Sequence, residues 1–257
     1  MNKIQLKSPS DIEKLKESGK ILSAVLKETS QQVREGVSLL ELDKIARKII
    51  KESGGTPVFL GYRPTGADEP YPAAICSSVN EVVVHGVPTD YKLKEGDIIT
   101  VDAGVNYEGM ITDSAVTIGV GNIDNKTQKL LKITKESLNK GIEACIKGGF
   151  VGDIGNAIEQ FVKPTGFQII KNLTGHGVGF NLHEEPTIFN YGKKGTGVEI
   201  QEGMVLAIEP MLSFSSEYVV QNKDGSYTTD DGSKSAHFEA TIAITENGTE
   251  IISPIFI

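Results

Sequence analysis

Asp102 and Asp113, two acidic residues within the apolar runs of residues 98–120, constrain the fold of this chain more than any other feature. β-Branched and small residues flank a segment of turn composition, which predicts a hairpin of two antiparallel strands. If Tyr107 and Glu108 form the loop, Asp102 lies directly opposite Asp113. Like charges at facing positions destabilise a strand pair, so we expect a cation between the two carboxylates. The alternative is a pair of solvated acids at a strand edge.

The pattern around these acids occurs a second time in the chain. Asp102 and Glu209 each lie six residues after the glycine of a Glu-Gly pair, at the end of an apolar run. Asp113 and Glu239 each precede β-branched residues at the third and fifth following positions. Such an internal duplication predicts two hairpins about a pseudo-twofold axis, with four carboxylates converging between them.

Four converging carboxylates on buried strands require compensation, because an unpaired buried charge is strongly destabilising. Divalent metal ions are the simplest compensation, and His176, in a glycine-rich segment between the repeats, adds a nitrogen donor. An oxygen-rich set with one imidazole suits Co²⁺, Mn²⁺ or Fe²⁺ as well as Zn²⁺. The number of donors fits two ions.

His85 follows an apolar run, and for a histidine in that position a buried core residue is a more common explanation than a functional one.

The remaining patterns predict helices before each set of strands. Capping boxes that begin at Ser8 and Ser38 start two amphipathic helices. A third helix, capped at position 124 or 125, extends to about residue 146, and a fourth lies near residues 154–162. The Pro-, Gly- and aromatic-rich residues 56–74 predict an irregular loop. The order helix, helix, strands, found twice, predicts an α+β fold.

Composition describes an ordinary globular protein, with 39% hydrophobic and 23% charged residues. We expect one domain over residues 1–257, with internal halves at about 8–121 and 122–257. The net charge of −8 argues against general nucleic-acid binding. Cys76 and Cys145 form no CxxC and fit a reducing compartment. No apolar run has signal-peptide or membrane-span length, so we expect a cytoplasmic protein without membrane contact.

Seven motifs, in order along the chain, resemble the complete active-site set of the methionine aminopeptidase family. The resemblance extends from about residue 8 to the C-terminus and is therefore highly specific. The short separation between the last two motifs leaves no room for the helical insertion of type II enzymes, and no zinc-finger extension precedes the core, so the chain looks like a bacterial type I enzyme. The seven are His85 in HGVP, Asp102 in VDAG, Asp113 in TDSA, His176 in GHGVG, His183 in HEEP, Glu209 in IEP and Glu239 in FEAT.

The resemblance implies a pita-bread fold, in which duplicated helix-helix-hairpin halves form a curved antiparallel sheet backed by helices. In that family a metal-activated hydroxide attacks the first peptide bond. The N-terminal methionine of a nascent polypeptide is removed when the second residue is small. The expected partners are therefore nascent N-termini at the ribosome, with no specific nucleic acid, and the expected oligomeric state is monomeric.

The resemblance also implies roles for the motif residues. Two metal ions are expected, and His85 and His183 are expected to contact substrate and stabilise its tetrahedral intermediate. Glu209 is expected to transfer the proton from water to the leaving amine, although a bridging carboxylate is an alternative. The implied ligands are His176 and Glu209 for one ion, Asp102 for the other, and Asp113 and Glu239 for both.

The implied methionine pocket departs from the family pattern. Phe59 stands where many bacterial members have cysteine, Leu182 stands where they have an aromatic residue, and Ala240 replaces a histidine. No tryptophan lies near residues 226–227, and the loop over residues 62–76 is longer than usual. The expected pocket residues are Phe59, Tyr62, Tyr71 and Cys76, and a monovalent-cation site is expected at Asn80, Val82 and Ser235.

Two other functions fit parts of this pattern. An X-Pro aminopeptidase or prolidase shares the five ligands, but those enzymes carry an additional N-terminal domain. Some pita-bread proteins have lost catalysis and bind proteins or nucleic acid, but they typically lose ligands that this chain retains. Outside the motifs, we expect His237 to be an ordinary strand residue and Cys145 an ordinary buried thiol.

Overall fold

Four α-helices account for the long amphipathic segments in the part of the chain that the structure describes. The computed structural model describes residues 4–63 and 69–253. No helix in this described part is both long and apolar enough to cross a membrane. The helices are α1 (Pro9–Ser30), α2 (Leu39–Glu52), α3 (Asn125–Ala144) and α4 (Val151–Val162).

The helix starts follow the capping residues in the sequence. At α1 the Ser8 hydroxyl accepts from the Asp11 backbone N–H and the Asp11 carboxylate accepts from the Ser8 N–H, which makes a reciprocal capping box. Ser38 and Glu41 form the same box at α2. α4 begins three residues earlier than expected, because the carboxylate of Asp153 accepts a hydrogen bond from the backbone N–H of Phe150 at 2.8 Å.

Every ladder between strands in the described residues is antiparallel. Residues 56–74 are not wholly irregular, since their first two residues form a short strand. Residues 64–68 of the predicted loop lie outside the described residues. The strands are β1 (Thr56–Pro57), β2 (Ile75–Val79), β3 (Val82–Val84), β4 (Ile98–Tyr107), β5 (Met110–Gly119), β6 (Gln168–Ile169), β7 (Gly175–Gly177), β8 (Glu184–Ile188), β9 (Val205–Ile208), β10 (Met211–Ser213), β11 (Val219–Gln221), β12 (Tyr227–Thr229), β13 (Ser235–His237), β14 (Ala240–Thr245) and β15 (Gly248–Ile251).

The β4–β5 hairpin is present, but its turn lies one residue later than predicted. Each residue of β4 therefore pairs with a residue of β5 two positions beyond its predicted partner. Tyr107 pairs with Met110, so the two loop residues are Glu108 and Gly109, both with positive φ (49° and 83°). Positive φ at both central residues is type I′ geometry, which favours glycine at one of the two loop positions. Asp102 therefore pairs with Ala115, and Asp113 with Gly104. The prediction that the two acids face each other directly is wrong.

The two acids nevertheless remain diagonal neighbours on one face of the hairpin, because their cross-strand positions differ by two residues. The requirement for charge compensation therefore survives the change of register.

The curved antiparallel surface is divided among four sheets. Two are large, with β5, β4, β2 and β1 in one and the order β15-β14-β9-β7-β8 in the other, and each contains one of the duplicated strand pairs. An isolated bridge between Ala115 and Glu239 connects β5 to the beginning of β14. The helices bury leucine and isoleucine side chains, including Leu22, Leu42 and Ile158, in a core that extends across both large sheets. This core holds the two sheets together from behind.

Candidate metal centre and substrate cleft

One cleft of about 1850 Å³ is lined by every side chain assigned to catalysis, metal binding or the methionine pocket. Its floor is formed by strand residues and its mouth by loops. The assigned residues that line it are Phe59, Tyr62, Tyr71, Cys76, His85, Asp102, Asp113, His176, His183, Glu209 and Glu239. Their predicted convergence is present in the structure, although their roles remain predictions.

The four acids reach the floor from four strands. Asp102 lies within β4 and Asp113 within β5, whereas Glu209 directly follows β9 and Glu239 directly precedes β14. Each is at most 8% exposed. Because β9 and β14 are paired, the two glutamates are adjacent at the end of that ladder. The duplicated strand pairs thus each contribute two carboxylates to one place.

Hydrogen bonds between main-chain groups, and between side-chain hydroxyls and main-chain groups, fix the seam between the two large sheets at this point. The Glu239 N–H donates to the Ala115 carbonyl at 2.9 Å, and the hydroxyl of Ser114 donates to the Glu239 carbonyl at 2.9 Å. The hydroxyl of Thr241 donates to the Asp113 carbonyl at 2.7 Å and accepts from the Asp113 N–H at 2.9 Å. The backbones of Asp113 and Glu239 are therefore locked across the seam.

Burial makes the charged state of all four acids unfavourable. Burial, and next the charge of Glu209, raises the pKa of Asp102 well above its ordinary value. Burial raises the pKa of Asp113 in the same way, with the charge of Asp102 as the second cause. The pKa values of Glu209 and Glu239 are also well above the ordinary range, first by burial and then by the charge of Asp113. A bound cation would reverse these shifts.

Several oxygen atoms in this cluster are also buried without a hydrogen-bond partner among the described residues. They are Oδ1 of Asp102, Oδ1 of Asp113 and Oε1 of Glu239. Buried carboxylate oxygens are normally paired, so an unpaired group of them is typical of a cation site. Two sets of donor atoms lie within 4.8 Å of one another: Asp113, His176 and Glu239 in one set, and Glu209, His237 and Glu239 in the other. The donors fit divalent ions, and Glu239 belongs to both sets.

His176 is held in β7 by close packing of the neighbouring backbones. A Cβ at Gly175 would lie 2.4 Å from the carbonyl oxygen of Ala207, and one at Gly177 would lie 2.3 Å from that of Glu185. Only glycine fits on either side of His176. The Nδ1 of His176 lies 2.9 Å from the Gly177 carbonyl oxygen, which favours a proton on Nδ1 and leaves Nε2 as a free donor for a metal.

Neutral imidazoles surround the carboxylates. Burial, and next the imidazole of His183, lowers the pKa of His176 to about 3. Burial likewise lowers the pKa of His85 to about 4 and lowers the pKa of His183 below its ordinary value, although both rings remain accessible from the cleft. At neutral pH these rings are uncharged, so they serve as hydrogen-bonding groups or nitrogen ligands and do not neutralise the acids.

His85 and His183 lie above the floor. His85 has a φ of 60°, which is uncommon for a residue with a Cβ, and its ring contacts Tyr227 edge-on with centroids 5.6 Å apart. Nδ1 of His183 lies 2.8 Å from the hydroxyl of Tyr62, so Nε2 is left for a ligand. The rings of His176 and His183 are 4.6 Å apart, which places His183 directly beside the carboxylate cluster.

A buried ion pair supports the loop that carries His183. The ammonium of Lys7 donates to the carboxylate of Glu184, and both side chains are 1% exposed. The other oxygen of Glu184 accepts from the backbone N–H groups of Phe180 and Asn181 at 2.8 Å each. The N-terminal segment thus holds this loop against the body of the protein.

The expected methionine pocket is a compact apolar cluster at one side of the cleft. Phe59 and Tyr71 pack edge to face with ring centroids 6.4 Å apart, and buried Cys76 and Leu182 belong to the same cluster. The hydroxyl of Tyr71 donates to the carbonyls of Ile75 and Gly86 and is therefore fixed. Burial raises the pKa of Cys76 well above its ordinary value, so its thiol is an apolar wall.

The expected monovalent-cation residues also lie together. The hydroxyl of Ser235 is 3.3 Å from the carbonyl oxygens of both Asn80 and Val82. The side-chain NH₂ group of Asn80 donates to the Asp97 carboxylate at 2.9 Å, and the main-chain carbonyl oxygen of Asn80 is the group that faces Ser235.

Cys145, outside the cleft, is buried, and burial raises the pKa of its thiol to about 12, in agreement with a structural thiol.

His237 was not expected in the cleft, yet its side chain lines the floor beside Glu209 and Glu239. It is a strand residue, at the end of β13, but it is not an ordinary one. Residues two apart on an extended chain project to the same side, and His237 is two residues before Glu239. That spacing was the available sequence signal.

The chain matches the family model for metallopeptidase family M24 over residues 13–246. It is 43% identical to a methionine aminopeptidase of Clostridium perfringens over 254 residues, which are 98% of this chain and 99% of that protein. It is 42% identical to methionine aminopeptidase 1 of Bacillus subtilis over 250 residues, with coverage of 97% and 98%.

Solved structures agree with these sequence matches. The methionine aminopeptidase of Thermotoga maritima superposes with a TM-score of 0.92 at 44% identity and covers 98% of this chain and 99% of its own. The prolidase of Pyrococcus furiosus superposes with a TM-score of 0.76 at 22% identity, and the match covers 98% of this chain but 66% of the prolidase. The second likeness concerns the fold alone.

Proposed function

The chain belongs to the methionine aminopeptidases of metallopeptidase family M24, and we propose that it uses two divalent ions to remove the N-terminal methionine of nascent polypeptides whose second residue is small. The observation that carries this proposal is the position of an oxygen-rich cluster of donors beside an apolar slot, within one cleft. Such a cleft suits a substrate whose first side chain is apolar and whose first peptide bond must be hydrolysed.

The proposed ligand assignment follows the motif resemblance, and the donor groups agree with it in placing Asp113 and Glu239 beside His176, although neither group among the described residues contains Asp102. His176 and Glu209 hold one ion, Asp102 holds the other, and Asp113 and Glu239 hold both. Nε2 of His176 and Oε1 of Glu209 are 3.5 Å apart, which is the separation of two ligands on one ion when each metal–ligand bond is about 2.0–2.1 Å. Glu239 belongs to both donor groups, in accordance with a bridging role.

Two ions bound here would supply Lewis-acid polarisation of the scissile carbonyl and a lowered pKa for the attacking water. The protein's own groups would do the rest. Glu209 would accept the proton of that water at its carboxylate and deliver it to the leaving amine. His85 and His183 would bind the backbone on either side of the scissile bond, with Nε2 of His183 free because its Nδ1 meets Tyr62.

The apolar cluster would bind the methionine side chain. Phe59 and Tyr71 offer ring edges and faces to a thioether, which makes favourable contacts with aromatic rings at about 0.3–1.5 kcal/mol each. Cys76 and Leu182 close the slot with apolar surface. Phe59 is larger than the cysteine of many relatives, so the slot is expected to be shallow and intolerant of branching at Cβ.

The remaining proposals concern a second cation site, the source of the substrates, the oligomeric state and the cellular compartment. The converging oxygens of Asn80, Val82 and Ser235 would bind a monovalent cation behind the cleft. The substrates would be N-termini emerging at the ribosome, and the protein would act as a monomer in the cytoplasm, where such N-termini arise.

The test of substrate choice is kcat/KM on two tripeptide series, X-Ala-Ser and Met-X-Ser, with ion-loaded protein. Peptides that begin with methionine or norleucine should both be cleaved, because one methylene changes discrimination in an apolar pocket by only about 1–3 kcal/mol. Peptides that begin with isoleucine should not be cleaved, because its branch at Cβ would collide with the slot. At the second position Gly, Ala and Ser should be accepted, and Lys and Leu should be rejected.

Two results would contradict the proposal. Equal turnover of Leu-, Ala- and Met-headed peptides would leave a general aminopeptidase. Cleavage restricted to X-Pro bonds would favour the alternative assignment as an X-Pro hydrolase. Protein stripped of ions with a chelator and then dialysed is the control, and it should be inactive on every peptide.

A further inference from the structure

His237 is a deeply buried histidine to which the resemblance assigns no function. It is the last residue of β13 and is 2% exposed. Its backbone N–H donates to the hydroxyl of Thr117 at 2.8 Å, and the same hydroxyl donates to its carbonyl at 2.8 Å. The backbone of His237 is therefore fixed against β5, and its ring lies beside the acids.

Neither ring nitrogen of His237 has a hydrogen-bond partner among the described residues. The Nε2 atom lies 3.4 Å from Oε2 of Glu209 and 3.9 Å from Oε2 of Glu239. Buried polar groups in native proteins are normally paired, so an unpaired imidazole directed at two carboxylates indicates a role at that site. The distance to Glu209 is slightly longer than an N–H···O hydrogen bond, and a small rotation of the carboxylate would close it.

The two oxygens of Glu209 have different imidazoles beside them. Oε1 lies 3.5 Å from Nε2 of His176, and Oε2 lies 3.4 Å from Nε2 of His237. His176 has its Nδ1 beside the Gly177 carbonyl, so its Nε2 carries a lone pair suited to a metal. Among the described residues His237 has no acceptor at Nδ1, so a proton there would be buried without a partner from this part of the chain. A proton on Nε2 would instead meet the carboxylate.

We propose that His237 is a positioning residue of the metal centre: it donates from Nε2 to Oε2 of Glu209 and so directs Oε1 toward the ion held with His176. This inference rests on the proposed assignment of Glu209 as a ligand. Partners that orient a ligand in this way raise metal affinity without touching the ion, and their removal typically lowers affinity about 10–100-fold. His237 would thus set how tightly the His176–Glu209 ion is held.

The experiment compares Co²⁺ binding by calorimetry and the visible Co²⁺ absorption spectrum in the parent chain, His237→Leu and His237→Gln. The leucine variant keeps the apolar volume but has no donor, so its affinity for one of the two ions, the one held with His176, should fall about 10–100-fold. The glutamine amide can donate to Oε2 as the ring does, so this variant should bind Co²⁺ nearly as the parent does. The Co²⁺ spectrum should keep its band positions in both variants, because no ligand is lost.

Phe238→Leu, at the adjacent buried residue, is the control for a general disturbance of this segment. If Phe238→Leu weakens binding as much as His237→Leu, the effect is structural and the proposal is wrong. Parent-like affinity of His237→Leu would also overturn it. If both His237 variants lose affinity and shift the Co²⁺ bands, His237 is a ligand and not a positioning residue. If the parent chain binds no stoichiometric Co²⁺, the metal centre itself is wrong. Of the outcomes named here, only this one would overturn the proposed function as well as the role of His237.

Discussion

The four histidines of the chain all line one cleft, yet their partners differ. His176 is fixed by the Gly177 carbonyl, His183 by the hydroxyl of Tyr62, and His85 by an edge contact with Tyr227. Only two of the four rings, His176 and His237, lie within 4.0 Å of a glutamate oxygen in the described part of the chain. Proximity to the carboxylates therefore separates candidate metal-centre residues from candidate substrate contacts.

This separation predicts different losses in single variants. His176→Ala should lose ion affinity, whereas His85→Ala and His183→Ala should keep the parent ion content because neither ring is assigned as a ligand. The last two should lower kcat about 10²–10³-fold, as removal of one transition-state hydrogen bond does. Elemental analysis after gel filtration and steady-state kinetics on a Met-Ala-Ser peptide measure the two properties separately. Loss of metal from His85→Ala or His183→Ala, with full retention by His176→Ala, would reverse the assignments.

At the scale of single elements, the β4–β5 turn illustrates how local chemistry sets register. Glu108 and Gly109 both have positive φ, and the Gly109 N–H donates to the side-chain oxygen of Asn106 at 3.0 Å. Gly109 adopts this conformation without penalty, whereas Glu108 does so with a Cβ. The turn therefore contains one favourable residue and one strained residue, next to each other on the surface.

The turn makes a paired stability prediction. Gly109→Ala should lower the free energy of unfolding by about 1–2 kcal/mol, because a Cβ opposes the left-handed conformation. Glu108→Asn should raise it slightly, because asparagine tolerates that conformation and Asn-Gly is a favoured type I′ pair. Urea unfolding monitored by circular dichroism gives both values on one scale. If Gly109→Ala has no effect while Glu108→Asn destabilises, the loop occupies different residues from those described here.

Much of each element could be predicted from its own residues. The helix starts at Ser8 and Ser38 follow from side-chain capping, which is a local interaction. The acids could be found because their spacing repeats along the chain. The register of the hairpin was missed because Tyr107-Glu108 and Glu108-Gly109 both give a two-residue loop; the glycine that a type I′ turn favours was the signal for the second. The position of His237 in the cleft was missed because Glu209, which lies beside it, is distant in sequence and comes close only in the folded protein.

At the scale of the whole molecule, the acids of the cleft make stability depend on bound ions and on pH. Their folded-state pKa values are raised by burial, so the folded ion-free chain holds more protons than the unfolded chain does. Stability from this source is present at low pH and is lost as pH rises through the raised values. Bound ions take the place of the protons and prevent that loss. The buried histidines act oppositely, but they are neutral in both states above about pH 7.

We therefore predict that the gap in stability between Mn²⁺-loaded and chelator-treated protein widens as the pH rises from the ordinary carboxyl pKa of about 4 toward the raised folded-state pKa values of these acids. At an ion concentration of about 100 times Kd, one site alone should contribute about 2.7 kcal/mol. Urea midpoints of the two forms across this range measure the gap. Parallel pH curves would mean that the four acids are not the groups linked to ion binding. Asp224, an exposed acid outside the cluster, offers a control through Asp224→Asn, which should leave the gap unchanged.

The seam between the two large sheets also has a consequence for how substrates are selected. The Ala115–Glu239 bridge and the Thr241 hydrogen bonds to Asp113 tie the sheets together at the floor of the cleft, directly beneath the place where a peptide would lie. The floor therefore cannot widen by parting the sheets unless these hydrogen bonds break. We expect the width of the floor to limit the size of the first residue, and the loops around the rim to adjust to different peptides.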